Sequence, residues 1–169
     1  AYIGREVFAL TPDILGFYIG TPVIGYIIGN GLSGKFSTAL GIDKMVLMGA
    51  IVTTFGMALC VIFFLFTNPI PFSFFSCVCL MGLGNGMVLP NSNAGMMSVR
   101  PHLAGSASGI GGTINTGGGA IIATGTAALL TPGTGAMPLI LIMLASSIMS
   151  IITIGYVFKR TLDLEESNS

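Results

Sequence analysis

The sequence MVLMGAIVTTFGMALCVIFFLFTNPIPFSFFSCVCLMGLGNGMVLPNSNAGMMSV, residues 45–99, contains no Asp, Glu, Lys or Arg. A helix that crosses a bilayer needs about 20 mostly apolar residues. These 55 residues therefore hold two such helices, joined by the turn Asn68-Pro-Ile-Pro71. Residues 103–158 form a second uncharged run with room for two more helices, and residues 14–34 add a fifth. The pattern predicts an all-α integral membrane protein with about five transmembrane helices.

The composition excludes several other classes of protein. Only 7% of the 169 residues are charged, against roughly 25% in an ordinary globular chain. The apolar runs lack the polar faces of soluble core helices and the alternation of a transmembrane β-strand. The chain also has no basic patch with interleaved aromatic residues, so we expect no nucleic-acid partner. Membrane lipid is the surrounding medium that this composition requires.

Turn residues set the expected bounds of the helices. They are predicted at about residues 14–32, 45–66, 72–98, 103–130 and 138–158, in a single partial domain that covers residues 1–169. Thr11-Pro12-Asp13 marks the first start, and Pro90 is expected to kink or end the third helix. Residues 159–169 form a charged tail. The opening Ala1-Tyr2-Ile3-Gly4 is typical of the end of an earlier helix, so we expect the chain to be a fragment.

Basic residues predict the orientation in the membrane. If five helices alternate in direction, five of the six Lys and Arg residues fall on one side: Lys35, Lys44, Arg100, Lys159 and Arg160. Only Arg5 falls on the other side. Cytoplasmic loops of membrane proteins carry this excess of positive charge, so the C-terminal tail is expected to be cytoplasmic. Lys35, Arg100 and His102 are candidates for a cytoplasmic loop or gate.

Glycine is concentrated in the first, third and fourth predicted helices, whereas the second and fifth contain few glycines. Small residues allow membrane helices to approach closely. We therefore expect the three glycine-rich helices inside the bundle and the other two facing lipid. The expected packing positions are Gly16, Gly20, Gly25, Gly29, Gly105, Gly109, Gly112 and Gly118.

Polar side chains follow the same three helices. The candidates for a substrate pathway are Asn85, Asn115, Tyr18, Tyr26 and Thr116. An amide within hydrocarbon costs free energy unless it is paired or faces water. Two interpretations remain open for these residues, a polar translocation pathway and hydrogen bonds between helices.

No acidic residue lies inside a predicted span, so an intramembrane proton or sodium relay is not expected within this chain. No nucleophile with a partnered base and no phosphate-binding loop occurs, so an enzyme is not expected. The three cysteines, Cys60, Cys77 and Cys79, lie within predicted spans and are interpreted as small apolar side chains. We expect no cofactor and no metal site.

Two stretches carry a resemblance to a known family. Gly82-Leu-Gly-Asn-Gly-Met-Val-Leu-Pro-Asn91 and Arg100-Pro-His-Leu-Ala-Gly-Ser-Ala-Ser-Gly109 resemble the tenth and eleventh helices of major facilitator superfamily transporters. The likeness is closest to the bicyclomycin-resistance (Bcr/CflA-like) multidrug efflux group. Residues 4–30 look like the end of that group's helix seven and its helix eight, and residues 31–44 resemble a degenerate copy of its cytoplasmic connecting motif.

The resemblance implies that the chain corresponds to helices 8–12 of a 12-helix fold and is the C-terminal half of a transporter. The implied function is proton-coupled export of small, fairly apolar organic molecules across the bacterial inner membrane. The implied partners are the missing N-terminal half, the small-molecule substrate, and protons whose coupling site lies outside this chain. The alternatives are a non-transporting structural or assembly subunit of a membrane complex and an importer of the same fold.

Overall fold

The computed structural model describes residues 3–66, 70–99, 101–131 and 135–167. Six α-helices lie in these ranges, with a π-helical turn at Ile3–Val7 and a 3-10 turn at Pro101–Leu103. The helices are α1 (Pro12–Ile19), α2 (Thr21–Leu40), α3 (Ile42–Phe66), α4 (Pro71–Val99), α5 (Ala104–Leu129) and α6 (Met137–Ser167). These ranges contain no strand, and the all-α class predicted from the sequence is confirmed.

Four helical segments are long and apolar enough to cross a membrane: Pro12–Leu40, which joins α1 and α2, Ile42–Phe66, Pro71–Val99 and Met137–Arg160. The remaining long helix, α5, has the length for a fifth crossing and carries no charge. It is less apolar than the other four because glycine and threonine make up much of it. The protein is therefore an integral membrane protein.

The junction of α1 and α2 lies at a proline. Pro22 has no N–H, so it cannot donate to the carbonyl of Tyr18 one turn earlier. The Thr21 hydroxyl donates to that same Tyr18 carbonyl over 2.8 Å. A side chain thus replaces the missing backbone bond, and the two helices follow each other as one membrane segment.

The first predicted helix is longer in the structure than in the sequence-based expectation. It continues past residue 32 to Leu40, so Lys35 lies on α2 rather than in a loop. The helix ends where Gly41 adopts a positive φ of 88°, a conformation that glycine adopts without steric cost. α3 then begins directly at Ile42.

The bounds of α4, Pro71–Val99, agree with the expected 72–98 within one residue, so Pro90 does not end the helix, whereas the end of α6 differs from the expectation. α4 continues through Pro90 to Val99, because its packing against α2 and α3 holds the helix together despite one missing backbone bond. α6 continues beyond residue 158 to Ser167, so much of the expected tail is helical.

α4 lies at the centre of the bundle, with α2 and α3 packed closely along it and α6 packed on α3. α5 makes much less contact, limited to parts of α4 and α6. This arrangement differs from the one inferred from glycine content. The glycine-poor α3 buries one face against α4, whereas the glycine-rich α5 is exposed along almost its whole length.

A cluster of buried and partly buried side chains lies at the expected outer end of the bundle. It is aromatic: the rings of Tyr18 and Phe75 stack 4.7 Å apart, and Phe74 contacts Phe8 at 5.8 Å and Phe64 at 5.9 Å. Offset and edge-to-face ring pairs of this kind add to the apolar burial. The cluster fixes α1, α3 and α4 relative to one another at that end.

Candidate functional site

A cavity of about 520 Å³ opens between α3, α4, α5 and α6. Its wall is mostly apolar, as in typical sites for small organic ligands. The polar side chains that line it are Thr53, Asn85, Thr126, Ser146, Ser147 and Ser150. The cavity extends from the middle of α4 to Leu130 and Leu139 near the expected outer end.

Several of the hydroxyl groups in this wall donate hydrogen bonds to carbonyl oxygens of their own helices. Thr126 donates to the carbonyl of Ile122 over 2.6 Å, and Ser147 donates to that of Leu144 over 2.8 Å. The Thr53 hydroxyl is buried and has no hydrogen-bond partner within the described part of the chain. The cavity wall therefore contains a polar group whose hydrogen-bonding capacity is unused.

Asn85 lies between this cavity and a second, smaller groove. The groove has a volume of about 230 Å³, lies between α2 and α4, and includes Tyr26 and Pro22 in its wall. The half-buried Asn85 amide lines both spaces and forms no hydrogen bond with another described residue. An amide has both donor and acceptor capacity, so Asn85 can bind a polar group on either side of α4.

The groove is fixed by a close contact between α2 and α4. Gly25 and Gly29 of α2 face the backbone of α4, where a Cβ atom at Gly29 would lie 3.0 Å from the Cα atom of Gly86. In return, Gly82 faces the backbone of Pro22. Such contacts admit no side chain, so α2 and α4 form a tightly packed pair that holds Asn85 and Tyr26 in place.

A buried hydrogen bond joins the same two helices nearer their expected inner end. The Asn91 amide donates to the Ser33 hydroxyl over 2.7 Å and to the carbonyl of Met87 over 2.7 Å. The Ser33 and Ser37 hydroxyls lie 3.2 Å apart. Asn91 and Ser33 therefore act as a polar contact between helices rather than as a substrate surface.

The predicted residues of α5 are not brought to the cavity. Asn115 and Thr116 are exposed and line neither space. A Cβ atom would meet no neighbouring group within 4 Å at the four packing positions predicted on this helix, Gly105, Gly109, Gly112 and Gly118. Among the described residues those glycines make no close helix contact, because α5 touches its neighbours only along a small part of its surface.

Three other predicted residues lie near the expected outer end. Tyr18 belongs to the aromatic cluster, with its ring on Phe75, and lines neither the cavity nor the groove. Gly16 has open space where a Cβ atom would lie, and Gly20 faces only the Phe17 carbonyl of the preceding turn. Gly20 lies at the α1–α2 junction and Gly16 lies within α1, and neither meets another helix of the described residues.

Two of the three loop or gate candidates, Lys35 and His102, lie on different elements of the described structure. Lys35 is exposed on α2, with its Nζ atom 5.3 Å from the ring centroid of Phe36. His102 is exposed in the 3-10 turn that precedes α5. Arg100 lies outside the described residues, so its expected role remains a prediction.

Several cavity residues were not predicted from the sequence. Thr53, Ser146, Ser147 and Ser150 lie on α3 and α6, the two helices that were expected to face lipid. The sequence contained an indication of a polar face on α6, because Ser147 and Ser150 are three residues apart and so lie on one side of the helix. The assignment from glycine content missed these residues, because a helix can line a cavity through serine and threonine without being rich in glycine.

Comparison with known proteins agrees with this helical membrane architecture. The family model described as Major Facilitator Superfamily matches residues 2–168. No curated protein and no solved structure matches the chain significantly. Members of this family are transporters rather than enzymes. Because this family model matches almost the whole sequence, the chain belongs to the Major Facilitator Superfamily of small-molecule membrane transporters.

Proposed function

We propose that this chain is the C-terminal part of a proton-coupled exporter of small, mostly apolar organic molecules, of the bicyclomycin-resistance type. It would lie in a bacterial inner membrane with its C-terminus in the cytoplasm.

The position of the Asn85 amide is the observation that supports this proposal most directly. The amide is a polar group with no hydrogen-bond partner in the described chain, and it lies between two mostly apolar spaces. An uncharged amide among aliphatic side chains suits a molecule that is largely apolar with one or two hydrogen-bonding groups. A strongly charged substrate would find no counter-charge here, because α4 carries no ionisable acid or base.

The exposure of α5 supports a larger transporter. This helix leaves Ile110, Ile114 and Ile121 exposed, together with its glycines. A surface of bulky isoleucines next to bare glycine backbone is suited to contact with another membrane helix. We propose that the missing N-terminal half supplies the helices that cover this surface.

Proton coupling also points to residues outside this chain. A proton relay in a membrane normally uses a carboxylate or histidine within the span. The only acidic residues of α1 and α3 are Asp13 and Asp43, and both lie in the first turn of their helices. The coupling acid is therefore proposed to belong to the N-terminal half.

The role of Asn85 can be tested in the full-length transporter with Asn85→Leu. Losing one hydrogen bond to an uncharged substrate costs about 0.5–1.5 kcal/mol, so KM for an affected substrate should rise roughly 2- to 10-fold. Asn93→Leu is the matched control, because Asn93 is an exposed amide on the same helix that lines neither space. Equal effects of the two changes on KM would contradict a role for Asn85 in substrate binding.

Direction and coupling can be tested in inverted membrane vesicles with an imposed pH gradient. The full-length protein should concentrate an uncharged or lipophilic drug inside these vesicles, and the chain alone should not. Transport in the opposite direction would identify an importer. No transport of any substrate by the full-length protein would favour a structural subunit. Proton-driven transport by the isolated chain would contradict the proposed division of roles between the halves.

Asn115 provides a separate test of the pathway. In the full-length protein, Asn115→Leu should change which drugs are exported if the passage extends to α5. An unchanged resistance profile in a normally expressed variant would restrict the pathway to the Asn85 side of the bundle.

A further inference from the structure

Two buried cysteines lie at one of the close contacts between α3 and α4. A Cβ atom at Gly56 would lie 2.9 Å from the Cβ atom of Leu80 and 3.2 Å from the carbonyl oxygen of Cys77. Cys60 lies four residues farther along α3, about one turn, on the same face as Gly56. Cys60 and Cys77 therefore lie on the facing surfaces of α3 and α4 at this contact, and each is only 1% exposed.

Both side chains belong to the same cluster of buried side chains, and both are free thiols. Met57, also 1% exposed, belongs to the same buried cluster and lies three residues before Cys60. The third cysteine differs, because Cys79 is half-buried and its carbonyl faces Gly25 of α2. The structure thus distinguishes one paired site from one single thiol.

We propose that Cys60 and Cys77 form a binding site for a soft metal ion of the Hg(II) class, which would bridge α3 and α4. Soft ions prefer thiolate and thioether ligands. On binding, both S–H bonds break, the ion releases two chloride or water ligands, two metal–sulfur bonds form, and two protons pass to water. The oxidation state of the metal and of both sulfur atoms is unchanged. This proposal is independent of the proposed transport function.

The surroundings favour a divalent ion with few ligands. Residues 45–99 contain no charged side chain, and an uncompensated charge in an apolar interior is costly. A divalent ion with two thiolates is neutral, whereas a monovalent ion with two thiolates would leave one negative charge. Structural zinc usually takes four protein ligands, but this site offers two thiols and the thioether of Met57.

The test uses the purified chain in detergent, with mercuric chloride as the probe. We expect one tightly held mercury ion per chain by native mass spectrometry in the presence of excess monothiol competitor. X-ray absorption at the mercury edge should report two sulfur ligands. Binding should also raise the temperature at which the chain unfolds, because the ion would join two helices.

Single substitutions separate the pair from the third thiol. Cys60→Ala and Cys77→Ala should each weaken mercury binding by roughly 100-fold or more, because the second bond to a two-point ligand forms intramolecularly. Cys79→Ala is the matched control and should bind as the unmodified chain does.

Three results would overturn the proposal. They are one sulfur ligand per mercury, several mercury ions held equally per chain, and unchanged affinity in Cys60→Ala. The ligand count and the stoichiometry are measured on the unmodified chain, so they decide the question even if a variant fails to fold.

Discussion

Gly29 is the position where a single added methyl group tests the α2–α4 contact most directly. In Gly29→Ala the new Cβ atom would lie 3.0 Å from both the Cα atom of Gly86 and the carbonyl carbon of Leu83, and closer still to the Leu83 oxygen. Ordinary contacts begin at about 3.4 Å. Backbone atoms cannot rotate away as a side chain can, so the two helices must separate by at least the 0.4 Å difference.

Separating the two helices lowers the free energy of unfolding, because it weakens the packing between them. Overpacking of this kind destabilises a protein by about 1–3 kcal/mol. For a chain of about this size, 1 kcal/mol corresponds to roughly 2–4 °C in Tm. We therefore expect Gly29→Ala to lower the unfolding temperature of the detergent-solubilised chain by roughly 2–12 °C.

Gly31→Ala is the matched control for this experiment. Gly31 lies on the same helix, is exposed, and has no atom within 4 Å of the position of an added Cβ. Alanine favours a helix over glycine by about 1 kcal/mol, so this variant should be as stable as the unmodified chain or slightly more so. Unfolding can be followed with a thiol-reactive dye, because Cys60 and Cys77 are buried in the folded chain.

A second substitution at the same contact tests whether one surface is responsible. Once Gly29→Ala has separated the helices, Gly86→Ala should cost less than it does alone, because contacting residues are not additive. The reasoning would be refuted if Gly29→Ala lowered the unfolding temperature no more than Gly31→Ala. It would also be refuted if the two substitutions at the contact were simply additive.

Three further predictions concern other contacts. Asn91→Leu should lower the free energy of unfolding by about 0.6 kcal/mol or more, and adding Ser33→Ala to that variant should lower it little further. If the two substitutions instead lowered the free energy of unfolding independently, the hydrogen bond between Asn91 and Ser33 would not be the cause. Thr53→Val should leave the chain as stable or make it about 1 kcal/mol more stable, because it removes a buried hydroxyl without a described partner, and a clear loss of stability would reveal a bond to that hydroxyl. In a cysteine-free background, Ser73→Cys should react with an impermeant maleimide in intact cells and Thr38→Cys only after permeabilisation; the reverse pattern would invert the proposed orientation.

The all-helical membrane class could be predicted from the sequence because it depends on local composition. Residues 45–99 have no charged side chain to place in water, and a chain in a bilayer must satisfy its backbone hydrogen bonds internally. The helix ends were less predictable. The polar residues Ser33 and Lys35 suggested a loop. A helix can continue through polar residues, however, until a position such as Gly41 adopts a different backbone conformation.

The candidate site was predicted only in part. Asn85 and Tyr26 were identified because a polar side chain is conspicuous in an apolar helix, and the structure places both in the groove between α2 and α4. Asn115 was equally conspicuous, yet it lies away from both spaces. Thr53 was overlooked, because its helix contains few glycines and was assigned to the lipid surface.

The sequence by itself determined that this chain forms helices, and that these helices are apolar enough to lie in a membrane. Both properties follow from the hydrophobic effect and from backbone hydrogen bonding, which act within each segment. Only the tertiary structure decided which glycines are contact points. Gly29 meets the backbone of α4 while Gly112 meets nothing within 4 Å. The physical reason is that glycine permits a close approach without specifying the partner, and the partner is fixed by the simultaneous packing of α2 and α3 along α4 and of α6 on α3.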